Sequence, residues 1–297
     1  MTDATLAFFA THSSHSDPQD LARLYETAPA DWTGLCRWVR NVVSHVYDAT
    51  EADPPLPAAR QQDRRVRRVA EILERIADAG PEDLSVERPR AQRFLGTCRD
   101  FALLACSLLR HRSVPARLRV GFAGYFDPPR FEDHWLCEAW DAEQGRWRLL
   151  DAQLGPEDLQ RFQIAFDPLD VPRNGFLTAG AAWRSLRDGD MAAERFGVSF
   201  VGIEGAWFVA SSLFRDLAAL NKLELEPWDY WSHSIAISER HAAPEDLEPL
   251  FDRIAAALVS DPSDLDALRQ LYARPDLKVP GEVVCYPLGA PERARVV

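Results

Sequence analysis

The chain has 297 residues, of which 46% are hydrophobic and 27% charged, and its formal net charge is −12. That composition fits a globular protein that buries its core without disulfides or metal. The acidic balance excludes nucleic acid as the expected partner, because phosphate contacts come from Lys and Arg. No apolar run approaches the roughly 20 residues of a membrane span, and the N-terminus lacks signal-peptide features, so we expect a cytoplasmic protein with no membrane partner.

The first third of the chain has a helical pattern. Residues 1–18 are polar and are interpreted as a loose arm with a short apolar anchor at residues 6–9. His12 and His15 are too isolated to form a metal site. His45 is interpreted as structural. Apolar residues then recur at spacings of three and four, which predicts three helices over residues 20–28, 31–48 and 63–79.

The pattern changes at Cys98. A helix over residues 98–111 is followed by a turn and by three segments that are typical of strands, at residues 117–122, 134–140 and 147–151. Gln144 and Gly145 lie in the turn of the last hairpin. One helix followed by an antiparallel sheet predicts an α+β fold, with the helix packed on the sheet.

The remainder is predicted to be mostly helical. An aromatic loop at Glu226–Trp231 either walls a binding pocket or packs against the C-terminal helices. We expect a single domain over residues 1–297, with a helical part at 1–89, a core at 90–155 and a C-terminal part at 156–297. Helices in that last part are predicted over residues 179–187, 206–221, 244–259 and 263–273.

The cysteines favour thiol chemistry over a structural role in crosslinking. They are odd in number, widely spaced and without a CxxC pair, which predicts reduced thiols and neither a disulfide framework nor a zinc site. We expect no metal or other cofactor, and no calcium loop of the EF-hand type is present. The five are Cys36, Cys98, Cys106, Cys137 and Cys285.

Cys98 stands out because it occupies the start of a predicted helix. Thr97 can cap this helix and Asp100 can complete a capping box. Unpaired backbone N–H groups and the positive end of the helix dipole would then surround the sulfur. We therefore expect a lowered thiol pKa and a nucleophilic thiolate, which iodoacetamide would label near neutral pH.

A nucleophilic thiol needs a base and a carboxylate that orients the base. If the hairpin turn pairs Asp141 with Arg146, then Asp151 lies opposite Leu136. His134 is two residues from Leu136, so His134 and Asp151 point to one face of the sheet and lie within reach of each other. A turn one residue longer or shorter would separate them.

Several motifs together resemble the transglutaminase-like superfamily over about residues 90–155. The resemblance implies a papain-like core that forms a thioester acyl-enzyme. By position, Cys98 would be the nucleophile, His134 the general base and acid, and Asp151 the orienting carboxylate. Ser113 stands where relatives usually have Gly, which affects the turn and not the triad. The matching motifs are Gly96–Ala102, Leu108–Arg110, Val114–Arg117, Asp133–Trp135 and Leu150–Asp151.

The sequence thus predicts a cysteine enzyme that acts on an amide or thioester of a small molecule, a peptide or a carrier-bound acyl group. Hydrolysis is favoured, and amide formation with an amine acceptor is the alternative. A binding module without turnover, Cys98 as a buried small hydrophobe, and a metal site at Cys98 and His134 are the competing interpretations. The oxyanion would be held by the backbone N–H of Cys98, with Gln92 as a weaker candidate. The oligomeric state does not follow from the sequence.

Overall fold

Helices at both ends of the chain flank a mainly antiparallel sheet in its middle. The computed structural model describes residues 2–46, 58–81, 83–259, 265–287 and 290–296. The α-helices are α1 (Asp3–Phe9), α2 (Trp32–Val42), α3 (Val69–Asp78), α4 (Cys98–His111), α5 (Pro156–Arg161), α6 (Ala179–Arg187), α7 (Ala206–Leu220), α8 (His233–Arg240), α9 (Glu248–Val259) and α10 (Leu265–Tyr272).

The strands form one large sheet and two small ones. They are β1 (Val43–His45), β2 (Phe94–Gly96), β3 (Ala116–Ala123), β4 (Phe131–Asp141), β5 (Arg146–Leu150), β6 (Phe176–Thr178), β7 (Phe196–Val198), β8 (Ile203–Glu204), β9 (Asp229–Tyr230), β10 (Glu282–Cys285) and β11 (Glu292–Arg295). The large sheet has the order β6-β3-β4-β7-β8, and β5 also pairs with β4. Its pairings are antiparallel except for β4 with β7. The expected α+β fold class is therefore confirmed.

Helix α4 packs its apolar side chains on the central strands. Leu104 and Leu108 belong to the same buried cluster as Val120 of β3 and Trp135 of β4. Because this contact is large and rigid, it fixes where the first residue of the helix lies relative to β4. The helix begins at Cys98, as the sequence predicts.

Helix α7 is buried over almost its whole length. All residues from Trp207 to Leu220 are buried, because the sheet and other helices surround it. Among its buried polar residues, Asp216 is held by two contacts: its Oδ1 accepts a hydrogen bond from the backbone N–H of Val120 at 2.9 Å, and its carboxylate pairs with Arg119.

The N-terminal segment packs against the core, so the prediction of a loose arm was wrong beyond its apolar anchor at residues 6–9, of which Phe9 is buried. Phe9, His15 and Ser16 are fully buried. The hydroxyl of Ser107 in α4 donates to the carbonyl oxygen of Ser16 at 2.5 Å, and Arg110 donates to its hydroxyl at 2.9 Å. Ser16 thus satisfies buried polar groups of α4 instead of facing water.

Two predicted helices are shorter than expected. The helix predicted over residues 31–48 ends at Val42, and β1 follows it and pairs in parallel with β2. The helix predicted over 63–79 begins at Val69, after a 3₁₀ helix over Ala58–Arg65. The segment predicted over 20–28 is also a 3₁₀ helix, Gln19–Thr27. Three prolines within residues 54–57 predict a break between two of these helices, and they lie outside the described residues.

In the C-terminal part, the predicted helices are present in the structure, together with several short elements that were not predicted. Helix α6 has the predicted bounds, and α7, α9 and α10 lie within or close to theirs. Helices α5 and α8 and strands β6 to β11 were not predicted, because elements this short have no readable periodicity. Among the helices described, none combines the length and apolarity that crossing a bilayer requires.

Candidate active site

The predicted nucleophile, Cys98, is the first residue of α4 and is 7% exposed. Asp100 closes the helix start by accepting a hydrogen bond on Oδ2 from the backbone N–H of Thr97 at 2.8 Å. Its other oxygen pairs with Arg99 at 2.9 Å. The expected capping interaction is thus present, and it holds the backbone on both sides of the sulfur.

The electrostatic setting of Cys98 differs from the expectation. Burial raises the pKa of the Cys98 thiol well above its ordinary value, and the nearby carboxylate of Asp133 raises it further. The loss of hydration of the buried anion outweighs the hydrogen bond from the backbone of Trp135, which lowers the pKa of the Cys98 thiol. The prediction of a lowered pKa was therefore wrong, and the resting group is a thiol.

His134 and Asp151 are brought together as the hairpin argument predicts. Strands β4 and β5 pair with Asp141 opposite Arg146, which is the assumed register. The Nε2 atom of His134 lies 2.8 Å from Oδ2 of Asp151. Both side chains are almost fully buried.

The carboxylate of Asp151 is held in its charged form. Burial alone would raise its pKa, but the adjacent His134 and the hydrogen bonds around the carboxylate lower it. A charged carboxylate accepts hydrogen bonds, so the Nε2 atom of His134 carries the donated proton. The Nδ1 atom is then the ring nitrogen left free to take up a proton.

Tyr125 is a site residue that the sequence analysis missed. Its hydroxyl donates to Oδ2 of Asp151 at 2.6 Å, and the backbone N–H of Gln153 donates to Oδ1 at 3.1 Å. The ring of Phe126 meets the ring of His134 edge to face, with 4.9 Å between centroids. Tyr125 and Phe126 follow β3, and no motif or spacing in the sequence ties them to the hairpin.

Cys98 and His134 line one cavity of about 930 Å³. Trp228 and Tyr230 line it as well, whereas Trp231 is buried and donates its indole N–H to the carbonyl of Leu277. The aromatic loop thus both walls a pocket and packs against the C-terminal segment.

Two other residues considered from the sequence, His45 and Gln92, differ in their position relative to the cavity. His45, interpreted as structural, lies in the wall of this cavity, where burial and the nearby His134 lower its pKa to about 4. The Gln92 side chain packs beside Gly80 and is not among the cavity's lining residues. Gln92 is therefore a poor oxyanion donor.

Asp133 is a further carboxyl group in the cavity wall. Burial raises its pKa to about 6. Its Oδ1 atom is buried and has no hydrogen-bond partner within the protein. A buried carboxylate oxygen without a donor is costly to hold in its charged form, which agrees with the raised pKa of Asp133.

Arg99 belongs to a buried ion cluster behind the cavity and does not shape its entrance. Its guanidinium lies 3.0 Å from Glu226, which precedes β9, in addition to its pair with Asp100. Arg67 pairs with Asp229 at 2.7 Å in the same region. These contacts join the start of α4 to the segment that carries Trp228.

The remaining cysteines are separate from the site. Cys36, Cys106, Cys137 and Cys285 are buried and unbridged. None of them lines the cavity. Within the described ranges, no group of three or more His, Cys, Asp or Glu side chains is arranged to hold a metal ion.

Comparison with known proteins adds a family resemblance. Residues 42–152 match the model of the transglutaminase-like superfamily, which confirms the resemblance and supports cysteine-based catalysis in general terms. Among solved structures, a "Putative Cysteine Protease" from Cytophaga hutchinsonii is similar, with 21% identity and a TM-score of 0.35. The aligned part covers 60% of this chain and 46% of that chain. No curated protein sequence matches the chain.

Proposed function

Because residues 42–152 are transglutaminase-like, we propose that the protein is a cysteine-dependent acyl-transfer enzyme acting on an amide or thioester. Hydrolysis is the preferred outcome, and transfer to an amine is the alternative. The observation that carries the proposal is the 2.8 Å hydrogen bond between His134 Nε2 and Asp151 Oδ2, with His134 lining the same cavity as Cys98.

The first half of the reaction forms a thioester. As Sγ of Cys98 bonds to the carbonyl carbon, Nδ1 of His134 takes the thiol proton, and the carbonyl electron pair moves to oxygen. The backbone N–H of Cys98 at the helix start is the donor available to the oxyanion. When the pair returns, the bond to the leaving group breaks, and His134 gives its proton to the leaving amine or thiolate.

The second half regenerates the thiol. His134 takes a proton from water, or from an amine, as that nucleophile attacks the thioester carbonyl. Collapse expels the Cys98 thiolate, which recovers a proton from His134. Because burial raises the pKa of the resting thiol, proton removal and attack must be coupled. Base catalysis by His134 is therefore essential in both halves.

The test is turnover of para-nitroanilides and N-acetylcysteamine thioesters by matched variants. We expect Cys98→Ala to abolish turnover. Cys106→Ala makes the same change on the same helix, outside the cavity, and is expected to retain activity. His134→Ala is expected to remain folded by circular dichroism and to lose at least about 10³-fold in kcat/KM.

Two outcomes would count against the proposal. Turnover that survives Cys98→Ala would assign the chemistry elsewhere. A folded wild type that turns over no acyl donor, with or without an added amine such as glycine methyl ester, would favour a binding module. Loss of folding in His134→Ala would indicate a structural role for that residue.

A further inference from the structure

The cavity beside Cys98 is much larger than the catalytic groups require. Its volume of about 930 Å³ lies at the upper end of the range of about 300–1,000 Å³ for small-molecule sites. An acetyl group would fill only a small part of it. The volume therefore indicates a bulky substrate group, and this inference rests on the proposed function.

Aromatic side chains from separate parts of the chain converge on the cavity. They come from the segment after α5, the 3₁₀ turn between β7 and β8, the start of α7, the segment before β9 and the segment after β10. Convergence from five segments builds a wall with an apolar, rigid surface, which suits an apolar ligand. The residues are Phe162, Phe200, Trp207, Trp228 and Tyr286.

Part of this apolar surface is left open to solvent. In the described part of the chain, the large hydrophobic side chains classed as exposed are Val86 at 56%, Phe200 at 59% and Val201 at 53%. Phe200 and Val201 are adjacent and both line the cavity, whereas Val86 does not. Adjacent exposed hydrophobic residues at the rim of a cavity are typical of a binding surface that a ligand covers.

The charge of the cavity wall selects against anions. Five carboxylate side chains line it, against the guanidinium groups of Arg64 and Arg161. Each guanidinium lies over an aromatic ring of the wall, at 5.1 Å from the Trp228 centroid for Arg64 and 5.1 Å from the Phe162 centroid for Arg161. A polyanionic donor would meet net repulsion here. The carboxylates belong to Asp127, Glu132, Asp133, Asp158 and Glu239.

We propose that the cavity binds the bulky apolar acyl group of an uncharged donor and discriminates against polyanionic donors such as coenzyme A thioesters. The apolar wall receives the acyl chain, and Cys98 lies at the reacting carbonyl.

The experiment compares acetyl and octanoyl groups on two carriers, N-acetylcysteamine and coenzyme A, at pH 8. The scissile thioester is the same in all four, so differences report binding. We expect kcat/KM for octanoyl-N-acetylcysteamine to exceed that for the acetyl compound by at least about 30-fold, because each buried methylene contributes. We expect kcat/KM for octanoyl-coenzyme A to be at least about 10-fold lower than that for octanoyl-N-acetylcysteamine. This difference should decrease as added salt screens the carboxylates.

A matched pair of variants tests whether the preference for the octanoyl group depends on the cavity wall. Val201→Ser and Val86→Ser make the same change at similar exposure, inside and outside the cavity. Val201→Ser is expected to lower the octanoyl-to-acetyl ratio several-fold and Val86→Ser to leave it unchanged. Asp133→Asn removes one carboxylate and is expected to reduce the difference in kcat/KM between octanoyl-N-acetylcysteamine and octanoyl-coenzyme A.

Failure of this inference is distinguishable from failure of the proposed function. Cys98-dependent cleavage with an octanoyl-to-acetyl ratio near one would overturn the inference and leave the function standing. Calorimetric titration of Cys98→Ala with the two N-acetylcysteamine thioesters tests the cavity without turnover. Octanoyl binding at least about 30-fold tighter supports the inference, and equal Kd values overturn it.

Discussion

Asp151 is the residue on which the geometry of the site converges. It accepts hydrogen bonds from His134, from Tyr125 and from the backbone of Gln153. Three donors around one carboxylate fix its orientation, and they favour the charged form over the protonated one. The imidazole of His134 is in turn held in one tautomer.

Tyr125→Phe tests this arrangement at the residue level. Loss of the hydroxyl removes one donor, so burial should raise the pKa of Asp151 relative to the wild type. We expect an intact fold, a fall in kcat/KM of about 10-fold, and an acidic limb of the pH profile shifted to higher pH. An unchanged profile in Tyr125→Phe would show that the tyrosine contributes packing alone.

Buried neutral histidines predict a pH dependence of stability. Burial lowers the pKa of His15 to about 4 from its ordinary 6.5. The unfolded chain therefore binds a proton more readily than the native state between pH 6.5 and 4, so stability falls as the pH falls through that window. We expect His15→Gln to reduce this loss by about 1–3 kcal/mol in urea unfolding at pH 4 relative to pH 7. If wild type and His15→Gln lost the same free energy of unfolding between pH 7 and pH 4, the assignment of this pH dependence to His15 would be contradicted.

The residues of the site were predictable to the extent that they share one hairpin or one helix start. Strand parity places His134 and Asp151 on one face because the turn length sets the register. The pKa of Cys98 was not predictable, since it depends on burial by segments far away in the sequence. Tyr125 was missed for the same reason.

At the scale of elements, the start of α4 is joined to the segment before β9 by buried charges. Arg99 has two carboxylates nearby, those of Asp100 and Glu226. Burial raises the pKa of Glu226 to about 8, with Arg99 and Arg67 opposing the rise and Asp100 and Asp229 adding to it. The native state therefore holds a proton on Glu226 that the unfolded chain releases above its ordinary pKa near 4.5.

Glu226→Gln tests this link. Between about pH 4.5 and 8 the unfolded chain has lost the proton of Glu226, whereas the native state retains it. The free energy of unfolding therefore falls as the pH rises through this range. We expect Glu226→Gln to be more stable than the wild type at pH 8 and the advantage to shrink towards pH 5, as measured by urea unfolding. Glu74→Gln, on the exposed face of α3, is the control and should show no such trend.

Long helices were predictable from periodicity, and short strands were not. Helix α6 has its predicted bounds because Thr178 caps it and apolar residues recur along it. Strands β7 and β8 span two or three residues each. Their existence depends on pairing with β4 and with each other and not on their own sequence.

At the scale of the whole molecule, the N-terminal segment is part of the core. Phe9 is fully buried and meets Trp147 edge to face at 5.8 Å between centroids. Its neighbour Phe8 is only half-buried. The apolar run at residues 6–9 indicates a short anchor, but its partner Trp147 was not predictable because it lies more than a hundred residues away in the sequence.

The pair Phe9→Ala and Phe8→Ala tests that packing. Truncating a fully buried Phe is expected to lower the free energy of unfolding by about 3–5 kcal/mol. Truncating the half-buried neighbour should cost clearly less. A loose arm would instead leave both variants as stable as the wild type in thermal and urea unfolding.

The central claim is that Cys98 carries the acyl group during turnover. Wild type and Cys98→Ala would be mixed with octanoyl-N-acetylcysteamine, quenched rapidly in acid, and examined by intact mass and peptide mapping. The account predicts one octanoyl group on the wild type, on the peptide that contains Cys98 and released by hydroxylamine, and none on Cys98→Ala. Turnover without an adduct on Cys98, or an equal adduct on Cys98→Ala, would contradict it.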